Sequence, residues 1–132
     1  MTVIEARAFV GTLEAAIEAE AWAAGEAKRL GLSAQETFAM TLCLEELFVN
    51  AVTHGAAREI WLALSEDTLE FRDDGAAFDP SSAPQKRLQG QSFDFEIGGF
   101  GTGLLQKFAD RLSYRREGDW NVVRLAFHAR SR

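Results

Sequence analysis

The sequence predicts an α+β fold, a two-layer sandwich with helices on one face of a mostly antiparallel sheet. Two features carry that expectation. Two long helical stretches stand early in the chain, and two pairs of apolar runs are each joined by a short polar turn, giving the order strand, helix, helix, hairpin, loop, helix, hairpin. At 132 residues and 47% hydrophobic, the chain is long enough for one core, since a domain of that size buries roughly two-thirds of its unfolded surface. A single domain spanning residues 1–132 is expected, without repeats or a low-complexity tail.

Residues 2–9 alternate loosely and fit a short strand. Thr12 then stands where a helix cap belongs, ahead of the alanine-rich run LEAAIEAEAWAAGEAKRL, which predicts a helix from about residue 12 to 30 ended by Gly31. Ser33 and Glu36 have capping-box spacing and open a second helix that carries Phe38, Leu42, Leu47 and Phe48 on to His54, where Gly55 stops it. REIWLALSEDTLEFRDD reads as a hairpin around SEDT, with Asp73 and Asp74 at the end of its second strand. From Gly75 to Gly99 periodicity is lost and both prolines occur, which predicts a long loop of the kind that serves as a lid or binding loop. A helix is expected from about 103 to 110, and Leu112–Glu117 with Asn121–Phe127 close the chain as a second hairpin.

Composition narrows the function. Twenty acidic against fourteen basic residues give a net charge of −6, which repels a polyphosphate backbone and argues against direct nucleic-acid binding. No apolar stretch approaches the ~20 residues that span a bilayer, so no membrane role is expected. The single cysteine, Cys43, cannot form an internal disulfide, and the first residues carry neither a basic leader nor a long apolar run, so a cytoplasmic location is expected. Two histidines and one cysteine do not offer the ligand set of a zinc site. Trp22 and the other aromatics at helical or strand spacing read as core.

Three constellations can carry chemistry. In EELFVNAVTHG, residues 45–55, Glu46 and Asn50 are four apart and so about 40° apart around a helix, on one face. A carboxylate and an amide oxygen there can orient a hydroxyl and ligate a hard cation such as magnesium. Solvated acidic decoration is the plain alternative, but Asn50 lies inside an apolar run, where an asparagine wants a specific partner. In RDDGAAFDP, residues 72–80, an aspartate at a strand end before glycine can place a carboxylate at the bottom of a pocket to accept from an exocyclic amino group; an ordinary acidic turn is the alternative. In GGFGTGL, residues 98–104, clustered glycines before a helix free successive amides to point at an anion; the alternative is a flexible hinge. This run lacks the Gly-Lys-Ser/Thr ending of a Walker loop, and it lies too late in the chain for a Rossmann fingerprint.

In this order and spacing the three elements resemble the GHKL, or histidine-kinase-like, ATPase superfamily. EELFVNAVTHG is similar to its asparagine box, DDGAAFDP to its first glycine box and GGFGTGL to its second; Ala77 stands where the superfamily often has glycine. The small size, the Asn-Ala-x-x-His-Gly ending and Phe-Asp-Pro after the aspartate look most like the bacterial anti-sigma factor serine-protein kinases, and the similarity runs from about residue 5 to 127. The resemblance implies a Bergerat-type sandwich that binds ATP and Mg2+ and phosphorylates a serine or threonine of a small anti-sigma antagonist protein. It also implies sequestration of a sigma factor, and a homodimer as in many relatives. By position, Asn50 is implied to ligate magnesium, Glu46 to act as general base, and Asp73 to bind the adenine amino group in a pocket shaped by Gly75, with Phe78 typical of the subfamily. Gly99, Gly101 and Gly103 are implied to fold over the phosphates, with Thr102 and Leu104 beside them. A non-catalytic module that uses the same pocket only to set the shape of a partner-binding surface is the alternative.

Overall fold

The computed structural model describes residues 5–80 and 99–127. Eight elements follow one another: β1 (Glu5–Val10), α1 (Leu13–Arg29), α2 (Ala34–Thr53), β2 (Glu59–Ser65), β3 (Thr68–Asp73), α3 (Gly99–Phe108), β4 (Arg111–Glu117) and β5 (Trp120–Ala126). The expected α+β sandwich is observed, and its five strands lie in the order β1-β2-β3-β5-β4, every pair antiparallel.

The helix ends are fixed by local chemistry. The Thr12 hydroxyl accepts from Ala15 N–H at 3.2 Å and caps α1. Its C-terminus closes in a Schellman motif: Leu32 N–H reaches the Ala27 carbonyl at 3.0 Å and Gly31 N–H that of Lys28 at 3.1 Å, with Gly31 at φ +88°. The capping box forms as expected, Glu36 N–H to the Ser33 hydroxyl at 3.0 Å and Ser33 N–H to the Glu36 carboxylate at 2.7 Å.

Strand alternation sets the layers. Ile60, Leu62 and Leu64 of β2, Leu69 and Phe71 of β3, and Val123 and Leu125 of β5 point inward and are buried against α1 and α2. The outer face carries Trp61 and a lattice of charges, with Arg72 and Arg124 reaching Glu70 at 2.6 and 2.9 Å and Arg115 paired with Glu117. Four rings stack edge to face through the core: Trp22 to Phe9 at 6.2 Å, Phe9 to Phe48 at 6.4 Å and Phe48 to Phe71 at 6.0 Å. Trp22 is thus a packing residue. The buried face of α1 is all alanine, Ala15, Ala16, Ala19, Ala23 and Ala27, which lets the helix lie close to its neighbours. Cys43 is buried among them; burial first, and the nearby Glu46 second, push its thiol up to about 12, so it stays protonated and inert.

Three expectations need correction. The first strand runs to Val10 rather than ending at residue 9. Phe38 is 60% exposed and meets Phe108 edge to face, because it lies on the side of α2 turned from the sheet. The third helix starts at Gly99, not near 103, and ends at Phe108, so the glycines from 99 to 103 form its first turns instead of a loop before it. Glycine weakens a helix without forbidding it. Most of the expected loop from Gly75, together with Gly98, Lys86, Arg87 and His128, lies outside the described residues.

Gly11 ties β1 to the segment before β2. Its N–H donates to the Arg58 carbonyl at 2.9 Å, and a Cβ there would stand 2.1 Å from the Ala57 carbonyl oxygen. Gly11→Ala is therefore expected to lower unfolding free energy by ~1–3 kcal/mol through overpacking against backbone. Gly25, inside α1 with nothing within 4 Å of its would-be Cβ, should behave oppositely, with Gly25→Ala gaining about 0.5–1 kcal/mol. Urea titrations of the two variants check both signs.

Candidate functional site

The inner face of the sheet changes character at one end. Two cross-strand rows, Leu62–Phe71–Val123 and Leu64–Leu69–Leu125, are apolar, whereas the next row places Asp73 opposite Ile60 on one side and Asn121 on the other, with Arg116 beyond Asn121 on β4. Asp73 is only 6% exposed. Its Oδ1 accepts from Gly75 N–H at 2.8 Å and from the Asn121 amide at 3.1 Å. Burial pushes its pKa above the ordinary carboxylate value, against the downward pull of those two hydrogen bonds and of Arg116. Asp74 does different work. Its Oδ1 accepts from Arg58 N–H at 2.7 Å and Glu59 N–H at 3.0 Å, pinning the start of β2 to the end of β3. Desolvation acts upward on it, but those backbone donors outweigh it and hold its pKa low.

Helix α2 brings Asn50 to the same place. Its side chain is 4% exposed, and neither amide atom has a hydrogen-bond partner among the described residues. An orphaned buried amide costs about 1–3 kcal/mol, so the position is held against its own stability. Asn50, Asp73, Gly55, Phe78, Pro80 and Asn121 share one cavity of about 20 Å3. That is room for about one water, so any larger ligand must lodge over the cavity or displace the strip at Phe78 and Pro80. The amide oxygen of Asn50 suits a hard cation that takes one ligand from protein and the rest from phosphate and water. No cluster of three or more His, Cys, Asp and Glu stands among the described residues to offer an all-protein cage.

A close backbone crossing sets the spacing of the two arms. Ala76 N–H donates to the Gly55 carbonyl at 3.0 Å, just past the end of α2. A Cβ on Gly75 would stand 2.7 Å from that carbonyl oxygen and 3.0 Å from Asp73 Oδ1, so only glycine fits. Glu46, one turn before Asn50, is half-buried and does not line the cavity. Burial first, and the neighbouring Glu45 second, push its carboxyl up to about 7.

The structure thus brings Asn50, Asp73, Gly75 and Phe78 together. Glu46 stands beside them rather than among them. Gly103 is exposed and Leu104 half-buried, and neither lines the cavity. Gly99, Gly101 and Thr102 fall in the first turns of α3, where the first four N–H groups of a helix lack helical partners. The side chain of Thr102 is outside the described residues. The sequence reading passed over Asn121, Tyr114 and Arg116. Asn121 could have been noticed as Asn50 was, as an amide inside an apolar run, WNVV.

Residues 9–127 match the histidine kinase-like ATPase domain family. The chain belongs to that family. It is also similar to the serine/threonine-protein kinase BtrW of Bordetella bronchiseptica, with 35% identity over 126 residues covering 89% of each chain. The resemblance drawn from the three boxes is therefore shown, ATP is the ligand an ATPase domain of this family implies, and the likeness to BtrW supports the expectation of an ATP-dependent serine/threonine kinase. Among the described residues of this histidine kinase-like ATPase domain, no helix is long and apolar enough to cross a membrane.

Glu46 makes stability depend on pH. Its folded pKa of about 7 lies above the 4.5 of an ordinary glutamate, so the folded state holds the proton more tightly than the unfolded one. The favourable contribution is complete below about 4.5 and is lost as pH rises through about 7. Glu46→Gln removes this term. The variant should be more stable than the parent at pH 8, by about 1–2 kcal/mol after allowing for the solvent that reaches the group, and the difference should vanish near pH 4.5. Urea unfolding of both proteins at several pH values measures it.

Proposed function

We propose that this domain binds Mg-ATP and transfers its γ-phosphoryl group to a serine or threonine of a small antagonist protein, and that it sequesters a sigma factor when not so engaged. The observation that carries the reading is the buried amide of Asn50, unpartnered among the described residues, set beside the buried carboxylate of Asp73 in one cavity. Likeness to a protein named as a serine/threonine kinase supports transfer over simple binding.

Each group has a defined task. Asp73 would accept a hydrogen bond from the adenine amino group, and Asn50 would supply one oxygen ligand to magnesium. When bound, magnesium neutralises charge on the β- and γ-phosphates. The amides of the first turn of α3 would donate to phosphate oxygens. The acceptor hydroxyl oxygen attacks the γ-phosphorus, the bond to the β,γ-bridging oxygen breaks, ADP departs, and Glu46 takes the hydroxyl proton. Phosphoryl transfer needs little more than positioning and charge neutralisation, so this small set suffices. A carboxyl at about 7 is half deprotonated near neutrality, which suits a general base.

Incubation with γ-labelled ATP, magnesium and candidate antagonists tests transfer. Glu46→Gln is expected to lower the transfer rate by about 10²–10⁴-fold while changing ATP affinity by no more than a few-fold. The parent's rate should rise with pH up to about 7, the Glu46 value, and level above it. Asp73→Asn is expected to weaken ATP by about 1–3 kcal/mol in calorimetry. Tight ATP binding with no phosphorylated product from any antagonist would favour the regulatory module that binds nucleotide and a protein partner without transfer.

A further inference from the structure

The Asn121 amide is saturated. Its two hydrogens go to Asp73 Oδ1 at 3.1 Å and the Ala76 carbonyl at 2.9 Å. Its oxygen accepts from the Tyr114 hydroxyl at 2.7 Å, the Arg116 guanidinium at 3.1 Å and Phe78 N–H at 3.2 Å. Partners on the oxygen side are all donors and those on the nitrogen side all acceptors, so the orientation of the amide is determined by its surroundings. At 3% exposure and with both hydrogens used, Asn121 has no donor left to offer a ligand.

An aspartate carboxylate does not hold its own angle, because rotation about its terminal bond is broad. With Gly75 N–H and Asn121 both on Oδ1, the carboxylate is fixed in plane and its other oxygen, Oδ2, accepts nothing from the described residues. The same amide grips the strip that follows at Ala76 and Phe78, while Arg116 adds a bond to the Gly75 carbonyl at 2.9 Å. One side chain on β5 therefore sets both the direction of Asp73 Oδ2 and the height of the strip beside it.

We propose that Asn121, held by Tyr114 and Arg116, is the positioning residue that makes Asp73 selective for a purine bearing a 6-amino group. It acts through Asp73 and does not touch the nucleotide. This rests on the assignment of the pocket to ATP made above. A well-placed acceptor distinguishes a base that can donate from one that cannot, whereas a carboxylate free to turn does so poorly.

The test is calorimetry of the full chain with magnesium and either ATP or purine riboside triphosphate, which lacks only the amino group. The parent is expected to prefer ATP by about 10–100-fold. In Asn121→Ala that preference should fall to within about threefold, because ATP loses more affinity than purine riboside triphosphate does. Asn121→Asp keeps the shape but sets an acceptor against Asp73 Oδ1, and it should lose the preference at pH 8; it serves where the alanine variant does not fold. A merely structural role would lower the unfolding midpoint and leave the ratio of the two affinities at the parent value, and that result in either folded variant overturns the proposal. The parent arm separates the two levels of inference. No ATP binding by the parent removes the nucleotide reading itself, whereas ATP-selective binding that survives loss of Asn121 removes only the positioning role.

Discussion

The pairing of Asp73 with Asn121 across β3 and β5 is the contact on which the site depends. It lies in a row of the sheet's inner face that should be apolar by position, next to rows that are. A slip of one residue between these strands would send one of the two side chains to the outer face and break the pair. Everything nearby is referred to that pair. The Gly75 turn closes on Asp73, the strip to Phe78 hangs from Asn121, and the end of α2 meets the turn at Gly55. The register of two strands thus decides the position of a helix side chain, Asn50, that belongs to neither.

Such a site costs stability, and the costs gather at one end of the molecule. Asn50 is buried without partners among the described residues, Asp73 is buried with its carboxyl pulled upward, and Glu46 is poised near neutrality by burial. Each is unfavourable for stability, and in the proposed function each would be useful beside a cation, a base or a hydroxyl. The offsetting packing is supplied by the ring series from Trp22 to Phe71, which runs up to the site, and by the leucines of β2 and β3. A domain packed in this way can keep an under-satisfied site without losing its fold.

Much of the architecture was legible in the sequence because its causes are local. Thr12, Gly31, Ser33 with Glu36 and the two polar turns act within a few residues of themselves, and each does what its chemistry suggests. Asn50, Asp73 and Gly75 could be singled out because polar or flexible residues stood in apolar or strand-end settings. Two things were not visible. The start of α3 was placed too late because clustered glycines read as a break, whereas in the fold they form the opening turns of the helix. Asn121 stands out as an amide in an apolar run, but its role arises only when β5 pairs with β3, and nothing within β5 announces that neighbour.

The alanine face of α1 bears on how the family can vary. Where a core is filled by leucine, a substitution that removes atoms leaves a void and one of similar size is absorbed. At Ala15, Ala16, Ala19, Ala23 and Ala27 there is almost nothing to remove and no room to add. Helix α1 therefore works as a spacer of fixed thickness, and drift at these positions is confined to the smallest side chains. Its outer face, including Ile17 at 74% exposure, is under no such limit. Sequence divergence along this helix should be lopsided, with one side nearly frozen in size and the other free to change.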